Sequence, residues 1–385
     1  MVNYLGLLYN PLIKSEIFFE VLRDFRKGGL NPINYNEFIT LINQLPPLNI
    51  RTENDYNVFS KFNLADISEN DFSVVLKEIT KRGIERNKKC WHPLAGISSC
   101  NLDTFGNILV SAAHSIQNNG ILSRISDNGF VTTHRYDKSA FEGKEMQKNI
   151  ASIFFGFCNT HDRIFYPIET QTYQRTAEQN FLFAYRGFVV ACHKKLETSY
   201  FMDFGEQSEN DITVNKKIFD DAIIAKNYDI IETIVFELPS FYPIAVSSSF
   251  YLDYDFEGNQ INHSEERMEN IYITLFPSQN KTYFLLSYLK RDKCLYENIG
   301  NQLKQRNNLK SDISILIAGH AENVYFNPTY YTTFIQQQES TFEKIIRQTQ
   351  FDYGAITDSN DVEVLDSLTP QNYLSNQYKI NLFGY

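Results

Sequence analysis

The metal-binding residue types of this 385-residue chain are concentrated in one stretch, from Cys90 to Glu169. Three of the five cysteines and four of the seven histidines lie within it. An odd number of cysteines grouped with histidines is typical of a metal site rather than of a disulfide framework. Because a bound ion fixes the distances between the loops that carry its ligands, this stretch constrains the fold more than any other part of the chain.

Four side chains in this stretch are the predicted zinc ligands. Zinc takes four nitrogen or sulfur ligands in a tetrahedron, usually as two close pairs. Cys158 and His161 form a C-x-x-H pair, a spacing that lets both side chains face one ion. Cys90 and Cys100 are the predicted second pair, because thiolates bind zinc more strongly than a lone imidazole does in structural sites. The sequence therefore predicts a structural Zn²⁺ on these four residues.

Two alternatives stay open at this point. The interval between the first two cysteines is wider than the common spacing of about two to four residues, so the cysteines could be buried thiols without a metal. The four ligands could also be another choice among six candidates, which are Cys90, His92, Cys100, His114, Cys158 and His161.

The composition describes an ordinary globular protein and excludes several other classes. Hydrophobic residues make up 43% of the chain and charged residues 21%, which is not the composition of a disordered protein. The net charge of −10 argues against a protein built wholly to bind nucleic acid. The chain shows no basic leader and no apolar run of about 18 residues. We therefore expect a cytoplasmic protein without a membrane association.

The apolar periodicities predict an α+β fold in three regions. Residues 1–88 carry apolar residues at helical spacing and are predicted to form a helical N-terminal region, with helices over 14–28, over 35–45 and from Ser68 to Gly83. A run of basic residues closes this region, and it is either a solvated helix face or a contact for phosphate.

The other two regions are expected to be richer in strands. Residues 89–200 are predicted to form a zinc-stapled ββα or treble-clef-like module with a long helix after it. Residues 201–385 are predicted to form a mixed C-terminal domain, an antiparallel β-sheet with helices. Within these regions we predict a polar loop over residues 137–150 and a strand from Ile313 to Ile317.

The order of residues in the central region resembles the HNH, or ββα-metal, nucleases. An apolar strand leads into His114 within Ser-Ala-Ala-His-Ser-Ile-Gln, between the two predicted ligand pairs, and Asp162 directly follows His161. In the zinc-bearing members of that family, one ligand pair precedes a histidine at the end of a strand and a second pair opens a helix. The resemblance covers residues 90 to 170. His161 stands where that family usually has cysteine, and Asp162 where it usually has histidine or asparagine.

The resemblance implies a role for each of three further residues. His114 would be the general base that takes a proton from the attacking water. Asp162 would hold a catalytic Mg²⁺ or Mn²⁺, which polarises the scissile phosphate. Asn118 would orient the imidazole or assist the metal. Phosphate contacts are expected from basic side chains of the same region, namely Arg124, His134 and Arg135.

Each of these roles has a structural alternative. His114 could be a histidine that is hydrogen-bonded to the backbone, Asp162 could cap the helix that follows, and Asn118 could belong only to a turn. The motif Gly-Phe-Cys-x-x-His-Asp and the following Pro-Ile-Glu also resemble a group of uncharacterised bacterial proteins. Glu169 of that motif could pair with Arg186 on the next helix.

Three hypotheses of function follow. The first is a bacterial metal-dependent nuclease that acts on nucleic acid, in defence or mobile-element biology, with a C-terminal domain that binds a protein partner or controls access to the site. The second is a non-enzymatic zinc-stapled module that binds protein or nucleic acid. The third is a zinc hydrolase, whose ion would have only three protein ligands and an open position. A nuclease requires that His114 is not a zinc ligand and lies with Asp162 near one open cleft.

Overall fold

The structure is a computed structural model that describes residues 14, 17, 69–137, 140–264, 266–349 and 377–384. Apart from residues 14 and 17, the helices predicted over residues 14–28 and 35–45, and with them most of the helical N-terminal region, lie outside the described residues. A helix able to cross a membrane is not found in the described part of the chain.

The described residues form an α+β fold, which confirms the predicted class. The longer helices are α1 (Glu69–Asn87), α2 (Ala177–Thr198), α3 (Gly205–Ala225), α4 (Lys293–Gln305), α5 (Leu309–His320) and α6 (Glu339–Thr349). The strands are β1 (Val110–His114), β2 (Phe130–Asp137), β3 (Ala140–Gln147), β4 (Ile153–Cys158), β5 (Ile231–Leu238), β6 (Ile244–Phe250), β7 (Ile271–Ser278), β8 (Lys281–Leu289) and β9 (Val324–Phe326). Shorter helical turns are Asn118–Leu122, Ser123–Ile125, Asp162–Phe165, Tyr166–Glu169, Tyr228–Ile230, Lys290–Asp292, Pro328–Tyr330, Tyr331–Ile335 and Gln336–Gln338.

The chain divides into two compact units. Of the described residues beyond position 68, one unit holds 69–88 and 194–206, and the other holds the remainder. One limit between the units falls between residues 88 and 89, and residues 89–193 and 207–349 share the larger unit. The division into regions 1–88, 89–200 and 201–385 stays a prediction.

In the smaller unit, helix α1 begins at Glu69, where the sequence predicted a helix start, and continues past Gly83 to Asn87. A basic side chain of this helix, and that of the residue directly after it, pair with acidic residues one turn earlier. Arg82 Nε lies 3.2 Å from a carboxylate oxygen of Glu78, and Lys88 Nζ lies 2.5 Å from one of Glu85. Pairs of this spacing stabilise a solvated helix face, and this observation favours the structural alternative for the basic run.

The larger unit is organised by a seven-stranded antiparallel sheet in the order β3-β2-β9-β6-β7-β8-β5. The antiparallel sheet predicted for the C-terminal region is therefore confirmed. The sequence of strand β7 is almost continuously apolar because both of its faces are covered. Ile271, Ile273 and Leu275 belong to the main hydrophobic core with the buried side chains of α4 and α5. The alternate residues Tyr272 and Phe276 meet aromatic rings of α2 on the opposite face. Neither face of this strand is open to water, so neither face needs polar residues.

Two predictions of local structure were wrong. Residues 140–147, predicted as loop, form strand β3, which pairs with β2 at the edge of the sheet. An edge strand tolerates polar and charged residues, so its pattern looks like a loop. Residues Ile313 to Ile317, predicted as a strand, lie within helix α5. Every residue of that run is buried, and a short, wholly buried run has no periodicity to distinguish a helix from a strand.

A separate two-stranded sheet carries the candidate site. Strands β1 and β4 pair antiparallel, from Val110 opposite Cys158 to His114 opposite Ile153. The long connection between them sends β2 and β3 into the large sheet. Backbone N–H of Ser152 donates to the hydroxyl of Tyr325 on β9 at 2.7 Å, which ties the β1–β4 pair to the core of the unit.

Candidate metal centre and adjoining polar site

The four predicted zinc ligands come together in one group that could hold a metal ion. The Sγ atoms of Cys90, Cys100 and Cys158 and a ring nitrogen of His161 all lie within 4.8 Å of one another. Nδ1 of His161 is 3.4 Å from Sγ of Cys90, 3.4 Å from Sγ of Cys100 and 3.3 Å from Sγ of Cys158. Cys158 and His161 are buried, and the other two cysteines are half-buried.

Backbone hydrogen bonds align the loops that carry these ligands. N–H of Trp91 donates to the carbonyl of Gly156 on β4 at 2.8 Å, which places Cys90 beside the end of that strand. N–H of His161 donates to the carbonyl of Cys158 at 3.0 Å and closes the C-x-x-H turn. The side-chain oxygen of Asn101 accepts from the N–H of Thr160 at 2.8 Å, so the Cys100 loop and this turn are joined directly.

The electrostatics of the group would change with a bound cation. Burial raises the pKa of the Cys90 thiol to about 12, although backbone N–H groups of Cys158 and His92 oppose the shift. Burial also raises the pKa of Cys158, but N–H donors from Asn101 and His161, with the neighbouring thiols, lower it below its ordinary value. A divalent cation at the centre would stabilise all three thiolates, because it compensates both their burial and their mutual repulsion.

His92 lies next to this group but does not belong to it. Its ring stacks on that of His161 with the centroids 4.2 Å apart and the planes 8° from parallel. Its Nδ1 accepts a hydrogen bond from the N–H of Leu94 at 3.2 Å. Burial, with the positive charges of His161 and Lys216, lowers the pKa of His92 to about 4. Among the six candidate ligands, the four that were predicted are therefore the ones that come together in a group that could hold an ion.

His114 also lies outside the metal group, at the end of β1. A shift of register between Ser111 and Ala113 interrupts the β1–β4 pairing just before it, and such bulges re-aim the side chains that follow. Nδ1 of His114 is 2.9 Å from the carbonyl oxygen of Ala151. A carbonyl only accepts, so Nδ1 carries the proton and Nε2 of the neutral ring keeps its lone pair. Burial lowers the pKa of this imidazole, an effect that the Ala151 carbonyl opposes and the charge of Arg186 reinforces.

One ion pair acts electrostatically on both His114 and Asp162. Nη2 of Arg186 lies 2.6 Å from Oε1 of Glu169, and the guanidinium stacks 4.2 Å from the ring centre of Phe165. Both charges of this pair act on His114 and on Asp162. Burial raises the pKa of Asp162, the attraction of Arg186 lowers it, and the repulsion of Glu169 raises it. We call these four side chains, His114, Asp162, Glu169 and Arg186, the polar centre.

Asn118 does not orient the imidazole of His114, since Ala151 does. Its side-chain nitrogen donates to Asn149 at 3.1 Å, and its side-chain oxygen accepts from Lys148 at 3.0 Å. The structure thus gives Asn118 contacts with the turn that follows β3, and its catalytic role stays a prediction.

The three side chains expected to contact phosphate differ in their exposure. Arg124 is exposed, both ring nitrogens of His134 are buried, and the side chain of Arg135 lies outside the described residues. His134 packs on Phe342 with ring centroids 4.1 Å apart, so its contact with phosphate was a wrong prediction.

Sequence reasoning missed two parts of the site. One is the Ala151 carbonyl, which selects the tautomer of His114 across a separation of 37 residues. The other is a cavity of about 170 Å³ beside Glu169, to which four separate segments contribute. Neither part can be recognised from a local sequence pattern. Every residue has a backbone carbonyl, and the segments that form the walls of the cavity are brought together only by the fold.

Comparison with protein-family models, with curated proteins and with solved structures finds no match for this chain. We therefore infer the function from the geometry of the metal group and of the polar centre.

Proposed function

We propose that the protein is an HNH-like nuclease, a phosphodiester hydrolase with a structural Zn²⁺ on Cys90, Cys100, Cys158 and His161. The donor set fits zinc. In a tetrahedral site with ordinary Zn–S and Zn–N bonds, a sulfur and a nitrogen ligand lie about 3.5 Å apart. The three separations of 3.3 to 3.4 Å between His161 Nδ1 and the sulfur atoms agree with that value. Three cysteines with one histidine are also a common structural zinc set.

The catalytic part of the proposal depends on one observation, the hydrogen bond from Nδ1 of His114 to Ala151. It keeps the ring in the tautomer whose Nε2 can accept a proton from water. Burial lowers the pKa of the ring and so favours the neutral form that a general base needs. His114 lies outside the group of four potential metal ligands, which meets the first of the two conditions that separate a nuclease from a scaffold.

Asp162 is the proposed donor for a catalytic Mg²⁺ or Mn²⁺. Such an ion would polarise the scissile phosphate and stabilise the leaving oxygen. Magnesium sites commonly use one or two carboxylates together with water and substrate phosphate, so a single half-buried carboxylate is a suitable donor. Burial raises the pKa of Asp162 overall, and Arg186 opposes that shift in the direction of the ionised carboxylate that this role requires.

A second candidate, a zinc-stapled module that binds a protein, has its own support. Large apolar side chains on the loops around Cys90 and Cys100 are exposed: Leu94 by 60%, Ile97 by 72% and Phe105 by 88%. Clustered exposure of this kind is common where a partner binds. A zinc hydrolase with an open position is disfavoured, because four donors rather than three come together.

The test compares the wild type with three variants. Metal content is measured on the purified proteins, and cleavage of plasmid DNA and of RNA is followed with Mg²⁺ or Mn²⁺. We expect Cys158→Ala to lose its zinc, while Cys192→Ala, which removes a buried thiol outside the group, keeps it. His114→Ala should keep zinc and lose about 10²–10⁴-fold in cleavage rate, the usual contribution of a general base.

Three results would contradict the proposal. A wild type that cuts neither substrate with any divalent ion would favour the binding module. Loss of zinc from His114→Ala would make that residue part of the metal site. A wild type without zinc would remove the basis of both candidates.

A further inference from the structure

The cavity beside Glu169 is built from parts of the fold that are far apart in sequence. Its walls come from Gln117–Arg124, from 168–173, from α2 and from the hairpin between β7 and β8. Its volume of about 170 Å³ is below the range of about 300–1,000 Å³ for drug-sized ligands, so it suits a single ring system. Because Glu169 lines the cavity and also pairs with Arg186, a ligand there would adjoin the polar centre.

The floor of the cavity is aromatic and fixed. Tyr173, Phe183 and Phe276 line it, and each is at most 9% exposed. The rings of Phe183 and Phe276 stack with centroids 5.1 Å apart, and Tyr173 meets both of them edge-on. The hydroxyl of Tyr173 donates to the side chain of Asn180 at 2.7 Å, which fixes the third ring.

The upper walls are rich in carboxamides. Gln179 is held rigidly, since its side chain donates to Thr172 at 3.0 Å and accepts from the N–H of Gln174 at 2.7 Å. Gln117 donates to the backbone carbonyl of Glu169. The exposed side chains of Gln171 and Gln279 stand at the opening.

The wall nearest His114 contains the π-helical turn Asn118–Leu122. This conformation is rare and is found frequently at functional sites. The same wall presents Arg124, which is exposed and is the one cation among the described residues that line the cavity.

We propose that this cavity binds a nucleobase of a single-stranded nucleic acid, beside the phosphate that the polar centre would hydrolyse. The inference rests on the proposed function, which it deepens by naming a substrate subsite. The carboxamides of Gln171 and Gln279 at the opening can form paired hydrogen bonds with the edge of an unpaired base, and aromatic surfaces accept the faces of bases. Arg124 is placed to contact a flanking phosphate. A base in a duplex could not enter, because its edge would be occupied by its partner strand.

The test measures binding separately from cleavage. The His114→Ala protein is titrated into labelled single strands of oligo-dA, oligo-dC or oligo-dT, and the dissociation constants are read from fluorescence anisotropy. Ser278→Trp, added to this background, fills the opening from the β7–β8 hairpin. Gln279→Gly removes an amide without strain, because the backbone there has a φ of 48°. Asn280→Ala is the matched control, since Asn280 is exposed in the same turn and does not line the cavity.

We expect the parent to prefer one base, and Ser278→Trp to weaken its binding by about tenfold or more. Gln279→Gly should reduce the preference among bases, and Asn280→Ala should change nothing. Equal binding by Ser278→Trp and its parent, or no binding of any strand by the parent, would overturn the inference. Base-selective binding without cleavage by the wild type would keep the subsite and reject the nuclease. If the wild type cleaves nucleic acid but Ser278→Trp does not weaken binding, the nuclease is kept and the subsite is rejected.

Discussion

Arg186 is the residue on which the electrostatics of the polar centre depend. Its side chain is 3% exposed, it pairs with Glu169, and its buried Nε has no hydrogen-bond partner among the described residues. A guanidinium in such surroundings loses its hydration, so its charge has to be compensated by neighbouring groups. Glu169, which is 32% exposed, supplies that compensation and keeps part of its own hydration. The two members of the pair are therefore not equivalent.

This asymmetry predicts the stability of variants of the pair. Glu169→Ala leaves a buried cation without its counter-ion and should lower the free energy of unfolding by about 2–4 kcal/mol. Arg186→Met leaves a carboxylate that water can reach, and it should be less destabilising. The double variant should be more stable than Glu169→Ala alone. Urea denaturation of the four proteins gives the coupling energy. Additive effects of the two changes would contradict the proposed dependence of Arg186 on Glu169.

Among the elements, helix α1 contains a contact that only glycine permits. A Cβ on Gly83 would collide with the backbone carbonyl oxygen of Glu197. Nearby, the side chain of Asn87 donates to the carbonyl of Leu196 at 2.8 Å, so the two backbones are held close at this point. The glycine that the sequence suggested as the end of the helix is thus a position of close packing inside it.

Gly83→Ala tests this interpretation because helix propensity and the close contact would change the free energy of unfolding in opposite directions. At an exposed helical position the change would stabilise by about 1 kcal/mol through helix propensity. Here we expect a loss of about 1–3 kcal/mol, since a backbone oxygen cannot move aside as a flexible side chain can. Thr80→Ala, at an exposed site of the same helix, is the control and should stay within about 0.5 kcal/mol of the wild type. Chemical denaturation measures both, and a stabilising Gly83→Ala would contradict the close contact.

For the whole molecule, two half-buried histidines set part of the response to acid. Burial lowers the pKa of His134 to about 3 and that of His320 to about 3. Both rings lie in aromatic surroundings, since His134 packs on Phe342 and His320 stacks on Phe250 with centroids 4.6 Å apart. In the unfolded chain a histidine has a pKa of about 6.5. Below that pH the unfolded state binds protons that the native state does not, so stability falls as the pH falls.

The loss should extend from about pH 6.5 down to about pH 3 and amount to about 2 kcal/mol per histidine at pH 5. His134→Phe keeps a ring in the aromatic contact and removes the titration. We expect its free energy of unfolding to fall by about 2 kcal/mol less than that of the wild type between pH 7.5 and pH 5. Urea denaturation at both pH values measures this difference. The other titrating groups are common to both proteins. Equal falls in the free energy of unfolding of the wild type and of His134→Phe would therefore show that His134 does not contribute.

The parts of the chain that could be predicted from sequence are those with a local signal. The predicted ligands Cys90, Cys100, Cys158 and His161 form the metal group, because few thiols were available and C-x-x-H spacing is itself a local geometry. The strands around β7 were predicted from apolar runs between turns. The edge strand β3 and the buried helix α5 were not, since the pattern of each depends on which of its faces are covered.

The sequence by itself determined the α+β class, the strands β5 to β8 of the large sheet and the residues available to bind a metal, since these depend on residue type and short-range spacing. Only the tertiary structure decided that His92 stays outside the metal group, that Ala151 selects the tautomer of His114, and that Glu169 joins the polar centre to a cavity. The physical reason is that these contacts join backbone and side-chain atoms across long separations in the chain, and their geometry is set by how β1 and β4 are held against the large sheet.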